Sequence, residues 1–264
     1  MSAAAPSVGR SRVSQVAVRY GPPIIVFVAV VLIWEGLAGG PGRHVIPAPS
    51  AIFNGAVQNF DSLKRAAQAT LYEAIGGLVI GTIGGILIAF ATARWITARD
   101  VLLPVAIASS AVPIIAIAPI LNNWFGVLNP LSKMMMAALL VFFPVMLNVT
   151  RGLVEVQPAS LELMRSYAAS EVAVLRKLRI PNMLPFLFTA LKVGATLAFI
   201  GAIVGEFFGG SSDVLGHVVM TAMSSGSYDV AWAGILVGSV GAMVAYVVIS
   251  LIERVAIPWH STLS

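Results

Sequence analysis

Few residues in this chain have the type and spacing to do chemistry. The histidines stand at His44, His217 and His260. No two share the i, i+4 spacing that sets two imidazoles on one helix face, so no metal site is expected. There is no cysteine, which excludes a disulfide framework, a thiolate metal site and a cysteine nucleophile. No G-x-x-x-x-G-K-[ST] stretch occurs, so the chain lacks the usual loop for cradling ATP phosphates. No Ser/His/Asp or paired-carboxylate set stands out, and no catalytic residue is assigned. One stretch differs. Residues 151–185 carry Arg151, Glu155, Glu162, Arg165, Glu171, Arg176, Lys177 and Arg179, eight of the 16 basic and 11 acidic residues in the chain.

That stretch has its own helix signals. Pro158 starts a turn. Ser160 is expected to cap a first short helix, with Glu162 in the first turn, where the helix dipole favours an anion. Ser170 is expected to cap a second, with Glu171 in its first turn. Arg176, Lys177 and Arg179 fall in its last turn and Pro181 is expected to stop it. Met164, Ala168, Val172, Leu175 and Leu178 form one apolar stripe at helical spacing. The residues support two readings. An amphipathic pair could rest on anionic headgroups, or it could dock a soluble partner, with the stripe in a groove and the charges on the rim. Glu162 and Glu171 gain nothing from an anionic membrane.

The rest of the chain has to hold this charged insert in place. It is 58% hydrophobic and 10% charged, with a mean hydropathy of +0.93. A soluble domain is about a quarter charged, so the expected solvent is the bilayer. The net charge of +5 reads as basic cytoplasmic loops rather than as a nucleic-acid surface, and no nucleic-acid partner is expected. Residues 1–20 read as a disordered cytoplasmic tail, and residues 21–260 as one transmembrane domain. Six apolar segments follow, at about 22–39, 67–92, 101–122, 132–150, 185–208 and 229–252, each long enough for a hydrocarbon core of roughly 30 Å. The fold class is therefore all-α, a polytopic membrane helix bundle of six spans. Ile24 to Ala38 could pass for a signal peptide, but the many later spans favour an anchor.

Orientation follows from the basic residues. With the N-terminus inside, the inner segments hold Arg10, Arg12, Arg19, Arg94, Arg99, Arg151, Arg165, Arg176, Lys177, Arg179 and Arg254. The outer segments hold Arg43, Lys64, Arg65 and Lys133. The excess places both termini in the cytoplasm, together with the insert at 151–185. Pro104, Pro113 and Pro119 predict kinks in the third span. Stripes of small residues, Gly77/Gly81/Gly85, Gly201/Gly205/Gly209 and Gly234/Gly238/Ala242, predict close helix packing. Ser50 is expected to cap a short surface helix with Ile52, Ala56 and Val57 on its apolar face. Glu73 and Lys192 read as side chains that snorkel from span ends, and Glu35 as reaching the outer interface. Glu206 reads as a gate at the outer mouth, a contact for an outer protein, or an interfacial cap.

The insert resembles the signature of the membrane-spanning permease subunits of binding-protein-dependent ABC importers. In that family a Glu-Ala-Ala opening is followed by a Gly six residues after the Glu and an apolar-Pro pair about nineteen after it. Here Glu162 is followed by Leu163, Met164 and Arg165. Ala168 stands at the glycine position, with Ala169 and Ser170 after it, and Ile180-Pro181 stands at the pair. Alanine at the glycine position implies either a right-handed turn or a different angle between the helices. The resemblance extends over residues 45 to 260. It is closest to the nitrate, sulfonate and taurine branch, which includes permeases for thiamine-precursor pyrimidines and riboflavin. "IPAPSAIF", "AVPIIAIAPILNNWFG", "FFPVMLNVTRGL", "AIVGEFFGG" and "ERVAIPWH" match it in order.

The resemblance implies a type I ABC importer permease in the cytoplasmic (inner) membrane. It would be paired with a second permease copy, two cytoplasmic ATPases and an extracytoplasmic substrate-binding protein. ATP and Mg would sit on the ATPase, with no cofactor on this chain. Residues 151–185 would be the coupling-helix region, with Glu162, Arg165, Ala168, Ala169, Ser170, Arg176, Ile180 and Pro181 in the docking surface. Asn122 and Asn123 stand where the family is apolar, which makes them, with Glu206, candidates for the substrate path. The substrate would be a thiamine-precursor-like heterocycle or a small anion such as a sulfonate, taurine or nitrate. The alternative reading is an ATP-independent secondary transporter or channel. It needs coupling charges at mid-membrane, and none of the six spans shows one. An intramembrane enzyme would need a buried acid/base set, and none stands out.

Overall fold

The computed structural model describes residues 12–38, 45–95, 104 and 113–258. Among the described residues there is no strand, as expected where the solvent offers the backbone no hydrogen bonds. In chain order the helices are α1 (Arg12–Ala38), α2 (Pro49–Gln58), α3 (Phe60–Arg94), α4 (Ile114–Phe125) and α5 (Pro130–Val154). They continue as α6 (Pro158–Ser166), α7 (Glu171–Val174), α8 (Ile180–Phe207), α9 (Leu215–Ser224) and α10 (Tyr228–Ala256). Five apolar helical stretches are long enough to cross a membrane: Gly21–Ala38, Phe60–Arg94, Pro130–Val154, Glu171–Phe207 and Tyr228–Ala256. The expected third span, 101–122, falls largely on residues outside those described. Its described part is α4, which starts after Pro113 and contains Pro119.

Helix α1 begins inside the segment 1–20 that the sequence marks as a disordered tail. The stretch Arg12–Tyr20 contains neither Gly nor Pro, and the helix runs on from it through Pro22 and Pro23 into the apolar segment. Residues 1–11 lie outside the described residues. Helix α2 also differs in its start. Its N-cap is Ala48 with Pro49 in the first turn, because proline's missing N–H costs nothing there. Ser50 instead turns to α1: its N–H donates to Glu35 Oε2 at 3.0 Å and its hydroxyl to Glu35 Oε1 at 2.5 Å. Glu35 thus supplies the anion at the start of α2. Ile52 is buried, while Val57 is exposed, so α2 packs on α10 through only part of the predicted face.

The centre of the bundle is α5, clasped between α3 and α8. Its buried row is Ala137, Val141, Val145, Val149 and Leu153, spaced by four. The predicted glycine stripes are what let the helices meet. A Cβ on Gly81 would lie 2.5 Å from the Ala138 carbonyl oxygen, and one on Gly201 would lie 2.6 Å from Ala137 Cα. At the far end of α5, a Cβ on Gly152 would lie 2.5 Å from Met183 Cα. Without a hydrophobic drive between helices in lipid, such backbone approach is what holds a bundle. Helices α1 and α10 keep almost all of their apolar surface outward. They meet through Trp34 and Trp232, edge to face at 5.7 Å.

Candidate functional site

The charged insert forms at one end of the bundle. Helix α6 starts at Pro158 with Gln157 as N-cap, rather than at Ser160. As in α2, proline takes the first helical position and the expected serine lies inside the helix. No residue of α6 is buried, and the helix stands off the bundle. It ends in a Schellman turn: Ala169 N–H donates to the Met164 carbonyl at 3.0 Å and Ala168 N–H to that of Arg165 at 2.9 Å. Ala168 has φ +49°, the single non-glycine residue with positive φ among the described residues. The expectation of a right-handed turn at this alanine does not hold. The left-handed turn forms anyway, at a cost of roughly 1–2 kcal/mol for a residue with a Cβ.

Ser170 then caps α7 as expected, its Oγ accepting from Ala173 N–H at 3.3 Å. The predicted stop at Pro181 does not occur. Leu175–Arg179 widens into π-type turns and the helix runs on into α8 without a break. A wider turn moves the upstream carbonyls away from a ring that would otherwise clash with them, so proline sits without ending the helix. The junction is stapled to α5. Asn182 Nδ2 donates to the carbonyls of Gly152 (2.7 Å) and Glu155 (3.2 Å), and Arg179 Nη1 to that of Leu153 at 3.4 Å. These are orphan carbonyls at the C-terminus of α5. Asn182 carries no sequence signal beyond its type.

The surface left outward is mixed. Of the predicted stripe, Met164, Leu175 and Leu178 are half-buried and Ala168 is exposed. The large apolar residues in the open are Leu163 (57%), Tyr167 (78%) and Val172 (72%). Around them stand Glu162, Arg165, Glu171, Arg176 and Lys177, all exposed. Among the described residues the one ion pair is elsewhere, Lys192 to Glu253 at 2.8 Å. Lys192 is therefore paired across α8 and α10 rather than snorkelling. Ile180 and Pro181 lie half-buried in the junction.

At the opposite end the structure gathers ionisable residues that lie far apart in the sequence. Glu73 of α3, Lys133 of α5 and Glu206 of α8 are 4%, 1% and 2% exposed. Glu73 does not snorkel, and Lys133 is not a loop cation. Glu206 Oε2 accepts from Gly216 N–H at 2.6 Å, and Thr70 Oγ1 accepts from Leu215 N–H at 3.0 Å. Two neighbouring helices thus cap the N-terminus of α9. Lys133 Nζ donates to the Val127 carbonyl in the α4–α5 turn. Asn122 is buried, and its Nδ2 donates to the Phe208 carbonyl at 3.1 Å, tying α4 to the end of α8. Asn123 is exposed. The three path candidates therefore part ways in this chain, one open and two packed inside.

Residues 81–258 match the family described as "Binding-protein-dependent transport system inner membrane component". The chain is 32% identical to a probable ABC transporter permease protein of Haemophilus influenzae, over 83% of this chain and 90% of that one. It is 29% identical to the formylaminopyrimidine transport permease protein of Halalkalibacterium halodurans, over 90% of this chain and 95% of that one. Its fold is shared with the crystal structure of an amino acid ABC transporter with histidines. The TM-score is 0.59 at 18% identity, covering 76% of this chain and 97% of that one.

Proposed function

The chain belongs to the family of inner-membrane components of binding-protein-dependent transport systems, and from that premise we propose that it is the permease subunit of an ATP-driven importer. In this reading it pairs with a second copy of itself around a central path. Two cytoplasmic ATPases dock on α6 and α7 through Glu162, Arg165, Ala168, Ala169, Ser170 and Arg176. A substrate-binding protein delivers cargo at the opposite end. ATP and Mg belong to the ATPase, and this chain holds no cofactor. Both termini face the cytoplasm. Arg94, Arg151, Arg165, Arg176, Lys177, Arg179 and Arg254 all lie toward the α6 end, which supports that orientation.

One observation carries the docking assignment. Helix α6 has no fully buried residue, yet it is held in a fixed turn, and together with the start of α7 it presents Leu163, Tyr167 and Val172 within a rim of charges that form no ion pair among the described residues. An aromatic centre with a charged rim is the composition of a protein-binding hot spot. Force applied there would reach the bundle directly. Helix α7 continues into α8, and Asn182 and Arg179 lock that junction to α5. Closure of the ATPases would then bias two arrangements of α5 and α8. Arg165→Glu tests this: the ATPase is expected to be lost on purification while the membrane subunit keeps its fold. Retention of both ATPase binding and transport would overturn the assignment.

For cargo we favour a heterocycle of the thiamine-precursor class over a sulfonate, taurine or nitrate. The basis is the formylaminopyrimidine permease among the relatives. Asn123, exposed on α4, is the path residue this reading would put in contact with cargo. Asn122 and Glu206 would shape the wall from behind. Titrating the partner binding protein with the two ligand classes decides between them.

A further inference from the structure

Two carboxyl groups do not pack together in an apolar interior without something between them. Glu73 and Glu206 lie within hydrogen-bonding reach of each other, and both are almost wholly buried. Among the described residues, Glu73 Oε2 and Glu206 Oε1 have no hydrogen-bond donor. Among the described residues Lys133 is the one cation acting on the pair. It already donates to the Val127 carbonyl. Counting formal charges, two carboxylates against one ammonium leave one uncompensated negative charge in a dry site, which is strongly unfavourable. One proton bridging the carboxyls removes both defects: it gives the orphaned oxygens a hydrogen bond and makes the triad neutral.

We propose that Glu73 and Glu206 form a buried proton-binding site, holding one proton between them opposite Lys133. The bound proton keeps three helices and the start of α9 together. Glu206 is then free to accept from Gly216 N–H with its other oxygen, while Thr70, one turn before Glu73, accepts from Leu215 N–H. The groups facing the site are Thr70 and Glu73 from α3, Lys133 from α5, Glu206 from α8, and the first two amides of α9. His217 follows on α9 but is exposed. Removing the proton at high pH leaves two carboxylates in contact, so the end of the bundle that carries α9 loosens as pH rises. The inference does not depend on the transport reading, since it concerns the resting chain.

Infrared spectroscopy of the chain in lipid nanodiscs tests it. The expected result is a protonated-carboxylic-acid carbonyl band at neutral pH that disappears on alkalinisation. It should be absent from both E73Q and E206Q, because either substitution leaves a single carboxylate with an amide in place of the bridging proton. If the variants fail to fold, the wild-type spectrum still carries the test, since no other acidic residue among those described is so deeply buried. Absence of the band in the wild-type chain at neutral pH would overturn the proposal. So would its persistence in both folded glutamine variants.

Discussion

The two ends of this bundle handle charge in opposite ways. At the α6 end, Glu162, Arg165, Glu171, Arg176 and Lys177 are exposed and form no ion pair among the described residues. At the α9 end, Glu73, Lys133 and Glu206 are buried against one another. Exposed charges cost little and stabilise little, so they are free to be spent on a partner. Buried charges are costly unless matched, so they act on the chain's own architecture. The difference teaches that charge density along the sequence marks the surface proposed for recognition, whereas the isolated charges are the ones packed between helices.

The sharpest way to break the comparison is at the recognition end. Arg165→Glu, or Tyr167→Asp, is expected to abolish co-purification of the ATPase and with it transport. Stability should change by no more than about 0.5 kcal/mol, because neither side chain is packed. A thermal melt run beside the pull-down checks both halves of that statement. At the other end the expected effect is reversed. Lys133→Met leaves the carboxyls without their cation and should cost about 3–5 kcal/mol of stability. The loss would be read as a lower unfolding midpoint even with no ATPase present.

Two smaller effects sharpen the picture of what lies between. Gly81→Ala places a methyl against the Ala138 carbonyl and should destabilise by about 1–3 kcal/mol, measured by denaturant unfolding in detergent. Ala168→Gly should do the opposite, stabilising by about 1 kcal/mol, because glycine adopts the left-handed turn freely. It should leave ATPase binding intact. A loss of binding in that variant would mean that the rigidity of the alanine turn matters to docking.

Much of this was legible in the sequence. The apolar runs gave the helices, and the glycine stripes gave the faces on which α3, α5 and α8 meet. The cap at Ser170 and the bend before it were readable because capping is local chemistry. The failures were at prolines and at isolated charges. Pro158 and Pro49 each took the first helical position and displaced an expected serine cap. Pro181 was tolerated by a widened turn that has no sequence signal of its own. Glu73 had a signal that went unused: it is four residues before Gly77, on the row that continues through Gly81 and Gly85. Lys133 likewise heads the buried row of Ala137, Val141, Val145, Val149 and Leu153. A charge on a packing row faces inward. Which charges meet there depends on the relative heights of three helices, and only the folded chain sets those heights. Asn182 was invisible for the same reason, since its partners are carbonyls about thirty residues away.

The central claim is that the α6–α7 turn is a docking surface on the cytoplasmic side. The chain has no cysteine, so Tyr167→Cys introduces a unique thiol at its tip. Labelling with a membrane-impermeant maleimide in inside-out vesicles is the most direct measurement. The account predicts rapid labelling of the permease alone and protection when the ATPase is bound. Labelling from the opposite face, or labelling unchanged by the ATPase, would contradict it.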